Sequence, residues 1–422
     1  MRQQTADFLR NFSHSSQESA VRVLTQSGSH FESYWITNSI FLSNLSLSVL
    51  ELLDQGSVGQ FKVLKATTVS RLAFASRSAS TVPTGGSLSW NIEKIQADKC
   101  WAKGINGTGV VVATIDGGVR YTHNALRANY RGTLSDGSFD HDYNWVDYAY
   151  KNKVPFDSDG HGTNVAGVLS GSQDSGVGVA PGAKWISAKA FNYAGYADDK
   201  WLVASAQWVL CPSPINKATP TNCSLGADVV SASWGLDDDH TPLLEQYVNA
   251  WVKAGTVPVF AVGNNGPQCS TVFSPADYKG VVSVAATDKT DSILAFSSRG
   301  PPTTTDPSYN VETPAISAPG FDVEGPSCDD DHTYKGYSGT SQACPHVAGV
   351  AALVLSIKPG LNVSEVASIL YSSAETASLS APSDGPSSCG GVAWNQYPNY
   401  IYGHGRLDAL AAVQAAQTLE SY

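Results

Sequence analysis

Short, almost continuously apolar runs recur from residue 110 onward, and longer stretches with apolar residues at helical spacing separate them. Short apolar runs are typical of strands buried on both faces, whereas a period of three to four residues predicts helices. The predicted strands are 110–115, 185–191, 229–233, 257–262 and 281–285. The predicted helices are 162–169, 199–210, 243–254 and 344–357. This alternation predicts an α/β fold, with a doubly wound, mainly parallel sheet covered by helices on both faces.

The first 68 residues show another pattern, which predicts a small α+β unit. The predicted elements are two short amphipathic helices, a strand, a third helix and a half-buried strand: 6–12, 16–25, 33–41, 46–53 and 61–65. Residues 69–89 are rich in Ser, Thr, Gly and Pro, a composition typical of a linker open to proteolysis. We therefore divide the chain into units 1–68, 69–89 and 90–422.

Composition narrows the class of protein. The formal net charge is −11, which argues against binding to nucleic acid phosphates. No run of 18 apolar residues predicts a transmembrane helix, so we expect no membrane partner. Charged residues make up only 15% of the chain, and the seven cysteines also favour an extracellular protein with disulfides.

Five Asn-x-Ser/Thr sequons favour a secreted glycoprotein. They begin at Asn11, Asn44, Asn106, Asn222 and Asn362. No apolar run of seven or more residues follows Met1, so the given sequence shows no secretory signal peptide. We nevertheless predict secretion, and expect a short apolar segment to be encoded upstream of Met1.

Three polar residues stand where parallel sheets place their active sites, beyond strands and at helix starts. Asp116 follows the strand 110–115, His161 lies between two glycines at a helix start, and Ser341 begins the long apolar helix. Taken singly, each has a common structural explanation. Asp116 could be a turn residue, His161 part of a helix-capping loop, and Ser341 an ordinary helix N-cap. Together they supply the carboxylate, base and nucleophile of a serine hydrolase, in the chain order Asp, His, Ser.

The motifs around these residues resemble those of the subtilisin-like serine peptidases, the subtilases, over residues 90–420. The matching stretches are VVATIDGGV, DSDGHGTNVAGVLSG, SASWG, VPVFAVGNNGP and GTSQACPHVAGVAALV. DYNWVDYAYKNKVPFDSDGHGT and YPNYIYGHGRLDALAAV are most similar to the bacillopeptidase F-like branch. Residues 1–68 resemble, more weakly, the inhibitory propeptide of these enzymes.

The resemblance implies a seven-stranded sheet preceded by a ferredoxin-like propeptide domain. It also implies a monomeric serine endopeptidase, made as a self-inhibited zymogen, that cuts extended protein or peptide substrates and binds its own propeptide. No cofactor is required for that chemistry.

The resemblance assigns roles to individual residues. Ser341 would be the nucleophile, His161 the general base and then acid, and Asp116 the group that orients the imidazolium. Asn264 matches the asparagine whose amide stabilises the oxyanion, together with the Ser341 backbone N–H. The adjacent Asn265 is an alternative that fits the family pattern less well.

Substrate binding is implied for a second set of residues. Ser233, Trp234 and Gly235 match the strand that binds the substrate backbone and walls the primary specificity pocket. Phe273 falls where the family often has a small residue at the pocket base, so we expect a shallow pocket.

The chain departs from the family pattern at three positions near the triad. Gly117 replaces the usual Ser or Thr, Asn164 replaces the second His of the HGTHVAG motif, and Gln342 replaces the Met after the nucleophile. None of these changes removes a triad residue.

The cysteines and acidic loops raise the question of disulfides and metals. Cys344, on the apolar helix after Ser341, is predicted to be a buried free thiol. The other six cysteines allow three disulfides in 15 pairings, or none, and Cys211 with Cys223 is the favoured pair. The resemblance implies that structural calcium could bind in the Asp-rich loops 237–239 and 329–331, but solvated surface charge is the favoured interpretation of them. There is no HExxH or CxxC motif to support zinc catalysis.

Other functions fit the sequence less well. An inactive subtilase fold used for binding is disfavoured because all four catalytic positions are filled. An α/β-hydrolase esterase would need a GxSxG motif, which is absent. The glycines at 104, 107 and 109 precede a strand, whereas a dinucleotide-binding site needs them after one. The sedolisins share a GTS motif but lack the triad histidine.

Overall fold

The structure is a computed structural model that describes most of the chain. The described residues are 1–43, 45–54, 60–66, 68–70, 76–78, 87–216, 219–236, 242–303 and 312–419. The sequon at Asn44, the Asp-rich loop 237–239 and most of the predicted linker lie outside them.

Strands and helices alternate through the part that begins at residue 90. The strands of the described residues are β1 Phe31–Tyr34, β2 Ser39–Leu42, β3 Thr68–Ser70, β4 Ser76–Ser78, β5 Val111–Asp116, β6 Trp145–Asp147, β7 Lys184–Lys189, β8 Tyr196–Asp198, β9 Val229–Ala232, β10 Val257–Ala261, β11 Val282–Thr287, β12 Ile316–Pro319, β13 Val323–Pro326, β14 Tyr334–Ser338, β15 Ser388–Cys389 and β16 Val392–Ala393. The α-helices are α1 Arg2–Gln26, α2 Leu47–Asp54, α3 Trp90–Lys94, α4 Ala97–Trp101, α5 Asn124–Arg127, α6 His161–Ser170, α7 Asp199–Leu210, α8 Pro242–Ala254, α9 Thr340–Ile357, α10 Val363–Ser372 and α11 Ala409–Thr418.

Seven strands form one sheet in the order β12, β11, β10, β9, β5, β7, β6, and all neighbouring pairs are parallel. Val112 and Val229 pack in the layer of α6 and α9, whereas Ala113 and Val230 pack in the layer of α7 and α8. Burial on both faces explains why the strands read as nearly continuous apolar runs. The predicted doubly wound, seven-stranded parallel sheet is confirmed.

The strand order places the site. The chain leaves β5 for β7 and β6 on one side and for β9 to β12 on the other, so the sheet reverses its order beside β5. Ligands of open α/β sheets bind at the carboxyl ends of the strands next to such a reversal. Asp116, the last residue of β5, stands at this point.

Helix boundaries were predicted closely, with one consequence for the site. The predicted helix 199–210 coincides with α7, and 162–169 lies within α6. The helix predicted over 344–357 begins four residues earlier, at Thr340, so Ser341 lies in its first turn.

The elements predicted within residues 1–68 need correction. The two helices 6–12 and 16–25 are one helix, α1, because the polar residues between them include no Gly or Pro to end it. The strand 33–41 is a hairpin of β1 and β2, with Asn38 in the turn at a φ of 45°. Residues 61–65 belong to no strand and lie in an irregular segment.

The N-terminal elements pack on one face of the sheet, with α1 against α8 and β1 against α7. Arg2 forms an ion pair of 2.8 Å with Asp228 and donates to the carbonyl oxygen of Gly226 at 2.8 Å. The backbone N–H of Trp35 donates to Gln207 Oε1 of α7 at 2.9 Å. The division of the chain at residues 68 and 89 stays a prediction, as does the ferredoxin-like fold of the first unit.

All seven cysteines are described, and four of them pair. Cys211 and Cys223 form the favoured disulfide, and Cys269 pairs with Cys389. Cys100, Cys328 and Cys344 are free, so the third disulfide that the count allowed does not form. Cys344 is buried as predicted, and burial raises the pKa of its thiol to about 11.

Metal binding and membrane insertion gain no support. Among the described residues no cluster of three His, Cys, Asp or Glu could hold a metal ion. In the loop 329–331, Asp331 pairs with Arg120 at 2.7 Å and Asp330 accepts from the backbone of Thr333 at 2.7 Å. Calcium binding is therefore not confirmed. Helix α9 is long and apolar enough to span a membrane, but 89% of it is buried inside the protein.

His346, in α9, gives a prediction for stability against pH. Burial lowers its pKa to about 4, against an ordinary value of about 6.5. The unfolded chain binds this proton more readily between those values, so the stabilisation is complete above pH 6.5 and is lost as pH falls towards 4. We expect about 2–3 kcal/mol of unfolding free energy to be lost between pH 7 and 4.5 through this residue.

The measurement is urea unfolding at both pH values, in a Ser341→Ala background that excludes self-digestion. His346→Gln is the matched variant, because its amide does not titrate, and it should lose about 2–3 kcal/mol less. Equal losses in the two proteins would show that His346 does not control this range.

Candidate active site

The end of β5 and the start of α6 bring a carboxylate and an imidazole together. His161 Nδ1 lies 2.8 Å and 2.9 Å from the two carboxylate oxygens of Asp116. Both residues are buried. A neutral imidazole whose Nδ1–H donates to a carboxylate presents Nε2 as its basic nitrogen.

Glycines allow this close approach. Gly160 caps α6 at a φ of 88°, a left-handed conformation that other residues rarely adopt. A Cβ at position 162 would lie 2.1 Å from the carbonyl oxygen of Gly118 and 3.1 Å from Asp116 Cβ. The HGT turn therefore fits against the end of β5 only because residue 162 is glycine.

Two further carboxylates, which sequence reasoning missed, hold this turn. Asp159 Oδ1 accepts the backbone N–H of His161 at 3.0 Å, and Asp157 Oδ2 accepts both the N–H and the hydroxyl of Thr163, at 2.8 and 2.6 Å. Burial, followed by the charge of Asp159, raises the pKa of Asp157. The motif DSDGHGT contained both residues, and their position before a helix start was the available signal.

Ser341 is fixed from the end of β9. Ser233 Oγ donates to the carbonyl oxygen of Ser341 at 2.9 Å, and Ser341 Oγ lies 3.4 Å from the carbonyl oxygen of Ser233. The predicted nucleophile and the first predicted substrate-binding residue are thus in direct contact. The structure brings Ser341 to the edge of the sheet at which Asp116 and His161 lie.

Asn264, just beyond β10, is oriented by the residue before Ser341. Its Oδ1 accepts the backbone N–H of Thr340 at 3.0 Å and the Thr340 hydroxyl at 2.9 Å. A Cβ placed on Gly339 would lie 3.5 Å from Asn264 Nδ2 and 3.6 Å from Ser341 N. Two N–H donors therefore border the same small space, as an oxyanion site requires.

Comparison with known proteins agrees with this arrangement. A sequence model of the subtilase family, peptidase family S8, matches residues 107–405. Bacillopeptidase F of Bacillus subtilis (strain 168) is 38% identical over 338 residues, which cover 77% of this chain and 22% of that protein. Subtilisin DY of Bacillus licheniformis is 34% identical over 300 residues, or 70% of this chain and 92% of that protein.

The chain belongs to the subtilase family. Subtilisin E of Bacillus subtilis (strain 168) is a further relative, 31% identical over 293 residues. The predicted family and enzyme class, a serine-type endopeptidase, are confirmed. The chain spans about a fifth of bacillopeptidase F, 22%, but most of subtilisin DY.

The residues predicted to bind substrate in this subtilase have different surroundings. The Trp234 side chain is buried, with its ring 5.3 Å from Phe260 and 5.9 Å from Phe191, so it packs into the core. The Phe273 side chain occupies the space between Gly235 and Gly263. A Cβ on Gly235 would lie 2.8 Å from Phe273 Cβ, and one on Gly263 would lie 2.7 Å from Phe273 Cδ1.

Lys189 is a buried cation that sequence reasoning missed. It pairs with Asp116 in the register of β5 and β7, and its ammonium donates to the carbonyl oxygen of Gly117 and lies 4.7 Å from the ring centre of Phe156. Burial lowers its pKa, which nearby carboxylates oppose. A lysine inside the apolar run 185–191 was the signal, because such a residue is rarely buried without partners.

Proposed function

We propose that this subtilase hydrolyses peptide bonds through Ser341, His161 and Asp116, with an acyl-enzyme intermediate. The contact of His161 Nδ1 with both Asp116 oxygens, at 2.8 and 2.9 Å, carries the proposal. It holds the imidazole in the tautomer whose Nε2 takes the Ser341 proton as Oγ attacks the carbonyl carbon. The Asp116 carboxylate then stabilises the imidazolium that results.

The later steps use the same groups. The carbonyl oxygen becomes an oxyanion and accepts from the Ser341 backbone N–H and Asn264 Nδ2. His161 then gives its proton to the leaving amine, which departs with the C-terminal part of the substrate. Water attacks the acyl-enzyme with His161 again as base, and releases the acid product and free Ser341.

Two contacts of the chain with itself support an extended substrate and a self-inhibited zymogen. Strand β3 pairs antiparallel with β8, and Val69 is fully buried there. An extended substrate would add to an exposed strand edge in the same way. Strand β4 pairs with β14, and Ser76 lies opposite Ser338, three residues before Ser341. We infer that the N-terminal residues block the cleft until the chain is cut within residues 69–89.

Incubation of the purified chain at neutral pH tests this proposal. We expect wild type to gain a new N-terminus within residues 69–89 and then to digest a denatured protein, while Ser341→Ala stays intact and inactive. N-terminal sequencing and a digestion assay measure the two outcomes. Equal processing of the Ser341→Ala chain would contradict self-cleavage, and equal digestion would contradict the assignment of Ser341.

We further propose that the protein works outside the cell. Its two disulfides require an oxidising compartment, and the side chains of the sequon residues Asn222 and Asn362 are exposed. Peptide mapping of the protein from its source cells should find both disulfides. Seven free thiols would contradict secretion.

The position of Phe273 predicts a preference for small residues on the N-terminal side of the cut bond. The ring fills the space between Gly235 and Gly263, which follow β9 and β10, so a large substrate side chain that enters this space would have to displace it. We expect Phe273→Gly to raise kcat/KM for phenylalanine over alanine at this substrate position by about 10-fold or more.

Paired peptides that differ only at that residue provide the measurement. The alanine peptide is the internal control, and its kcat/KM should change by less than about threefold, because the transition-state contacts at Ser341 and Asn264 are kept. Wild-type enzyme that cuts after phenylalanine as fast as after alanine would show that the ring does not limit the site.

A further inference from the structure

A buried amide bridge joins the helix of the base to the helix of the nucleophile. Gln342 Nε2 donates to Asn164 Oδ1 at 3.2 Å, and both side chains are fully buried. Gln342 directly follows Ser341, and Asn164 lies three residues after His161, one turn along α6. Both residues are departures from the family pattern, and the structure pairs them with each other.

The side-chain amides of Asn164 and Gln342 hydrogen-bond to each other. Within the described residues, this bond is the only hydrogen bond that either side chain makes. A Cβ on Gly325 would lie 2.4 Å from Asn164 Nδ2, and one on Gly339 would lie 2.9 Å from Gln342 Oε1. A side chain at position 325 or 339 would therefore collide with one of the two amides. The bridge fits because both positions are glycine.

A chain of buried polar groups also holds the backbone of Gln342. The carbonyl oxygen of Gln342 lies 2.7 Å from His346 Nδ1, and His346 Nε2 lies 2.8 Å from Asn91 Nδ2. Burial keeps this imidazole neutral, because it lowers the His346 pKa to about 4. Nδ1–H therefore donates to Gln342, Nε2 accepts from Asn91, and Ser89 Oγ donates to Asn91 Oδ1 at 2.5 Å. Each member of the chain has one consistent role.

Apolar packing sets the distance between the two helices further along. A Cβ on Gly349 of α9 would lie 3.2 Å from the carbonyl oxygen of Leu169 of α6, so the helices are in close contact there. Near Ser341 and His161, a hydrogen bond between side chains of α6 and α9 can set the helix separation in place of such close backbone packing. The Asn164–Gln342 bond lies at that end, beside the nucleophile and one turn from the base.

We propose that Asn164 and Gln342 are positioning residues, which hold Ser341 at the correct distance from His161 by tying α9 to α6. The inference rests on the proposed function of Ser341 and His161. Neither amide touches the reacting atoms, so their effect reaches catalysis through geometry. Because a misplacement of about 1 Å can cost about 100-fold in rate, loss of the bridge should lower kcat by about 10-fold or more and leave KM unchanged.

Apolar substitutions of similar shape separate positioning from stability. Asn164→Leu and Gln342→Met each leave one buried amide without a partner, so both single variants should be destabilised. The double variant removes both polar groups and should regain much of the unfolding free energy. A positioning role predicts that its kcat stays low all the same.

The control removes another buried side-chain bond of the same kind. Thr114 Oγ1 donates to Ser187 Oγ at 2.9 Å between β5 and β7, so this bond joins two strands of the sheet and not the two helices. The double variant Thr114→Val/Ser187→Ala should keep kcat within about threefold of wild type, because it leaves the Asn164–Gln342 bond intact.

Two rates are measured at matched stability: kcat on a peptide, and the rate at which a serine-directed phosphonylating reagent labels Ser341. We expect both to fall at least 10-fold in the Asn164→Leu/Gln342→Met enzyme, with KM unchanged. Wild-type rates in that enzyme, or an equal fall in the Thr114→Val/Ser187→Ala control, would overturn the positioning role of Asn164 and Gln342. Labelling of wild type shows that the proposed function stands in either case, whereas an unlabelled wild type overturns both proposals.

Discussion

His161→Ala is expected to lower kcat by about 10⁶-fold, the scale known from subtilisin itself. Without the imidazole, Ser341 Oγ keeps its proton and is a poor nucleophile, and no group protonates the leaving amine. Asp116 would also lose the partner that lies 2.8 Å from its Oδ1. KM should change little, because His161 contributes to the transition state more than to substrate binding.

The measurement must avoid the self-processing that this variant cannot perform. Residues 71–75 are replaced in both proteins by the recognition sequence of an unrelated, affinity-tagged protease, which is removed after the cut. His332→Ala is the matched control, since His332 is exposed and its ring contacts Asn124 at 2.8 Å. It should keep wild-type kcat. A fall of less than about 100-fold in His161→Ala would show that another group is the base.

Asn264→Leu is expected to lower kcat by about 10²–10³-fold, the loss measured for the equivalent donor in subtilisin. The Asn264 carbonyl oxygen is held by Thr340, at 3.0 and 2.9 Å, which directs Nδ2 towards the space beside Gly339. Leucine keeps the shape and removes the donor. Since the oxyanion exists only after Ser341 attacks, the loss should appear in kcat while KM stays nearly constant.

Asn265 provides the matched control for this prediction. It is the neighbouring asparagine, its side chain is exposed, and its backbone N–H donates to Ser298 Oγ at 3.1 Å. Asn265→Leu should keep kcat within about threefold, because its side chain lies outside the oxyanion site. The opposite pattern, with kcat lost in Asn265→Leu and kept in Asn264→Leu, would move the oxyanion donor by one residue.

The sequence predicted the sheet well because a strand buried on both faces must be apolar throughout. The runs 110–115 and 257–262 therefore fall within one residue of β5 and β10. Helix α7 was predicted to the residue, since its apolar face repeats regularly. The site motifs could be found because their glycines and polar residues serve a local turn, such as the one that Gly162 allows at the end of β5.

What the sequence did not predict depends on contacts between distant residues. The partner of Cys269 lies 120 residues away, and the pairing of β3 with β8 joins segments that show no mutual pattern in the chain. The same holds for the Asn164–Gln342 bond, which crosses 178 residues. The hairpin within residues 33–41 was missed because the turn at Asn38 lacks glycine and proline.

Covalent labelling of Ser341 tests the central claim most directly. The processed enzyme is treated with a serine-directed phosphonylating reagent, and the modified peptide is identified by mass spectrometry. We predict one modified residue, Ser341, labelled in proportion to lost activity, with no labelling in Ser341→Ala. Peptidase activity that survives without any modification of Ser341 would contradict the account, as would a processed wild-type chain that is neither labelled nor active.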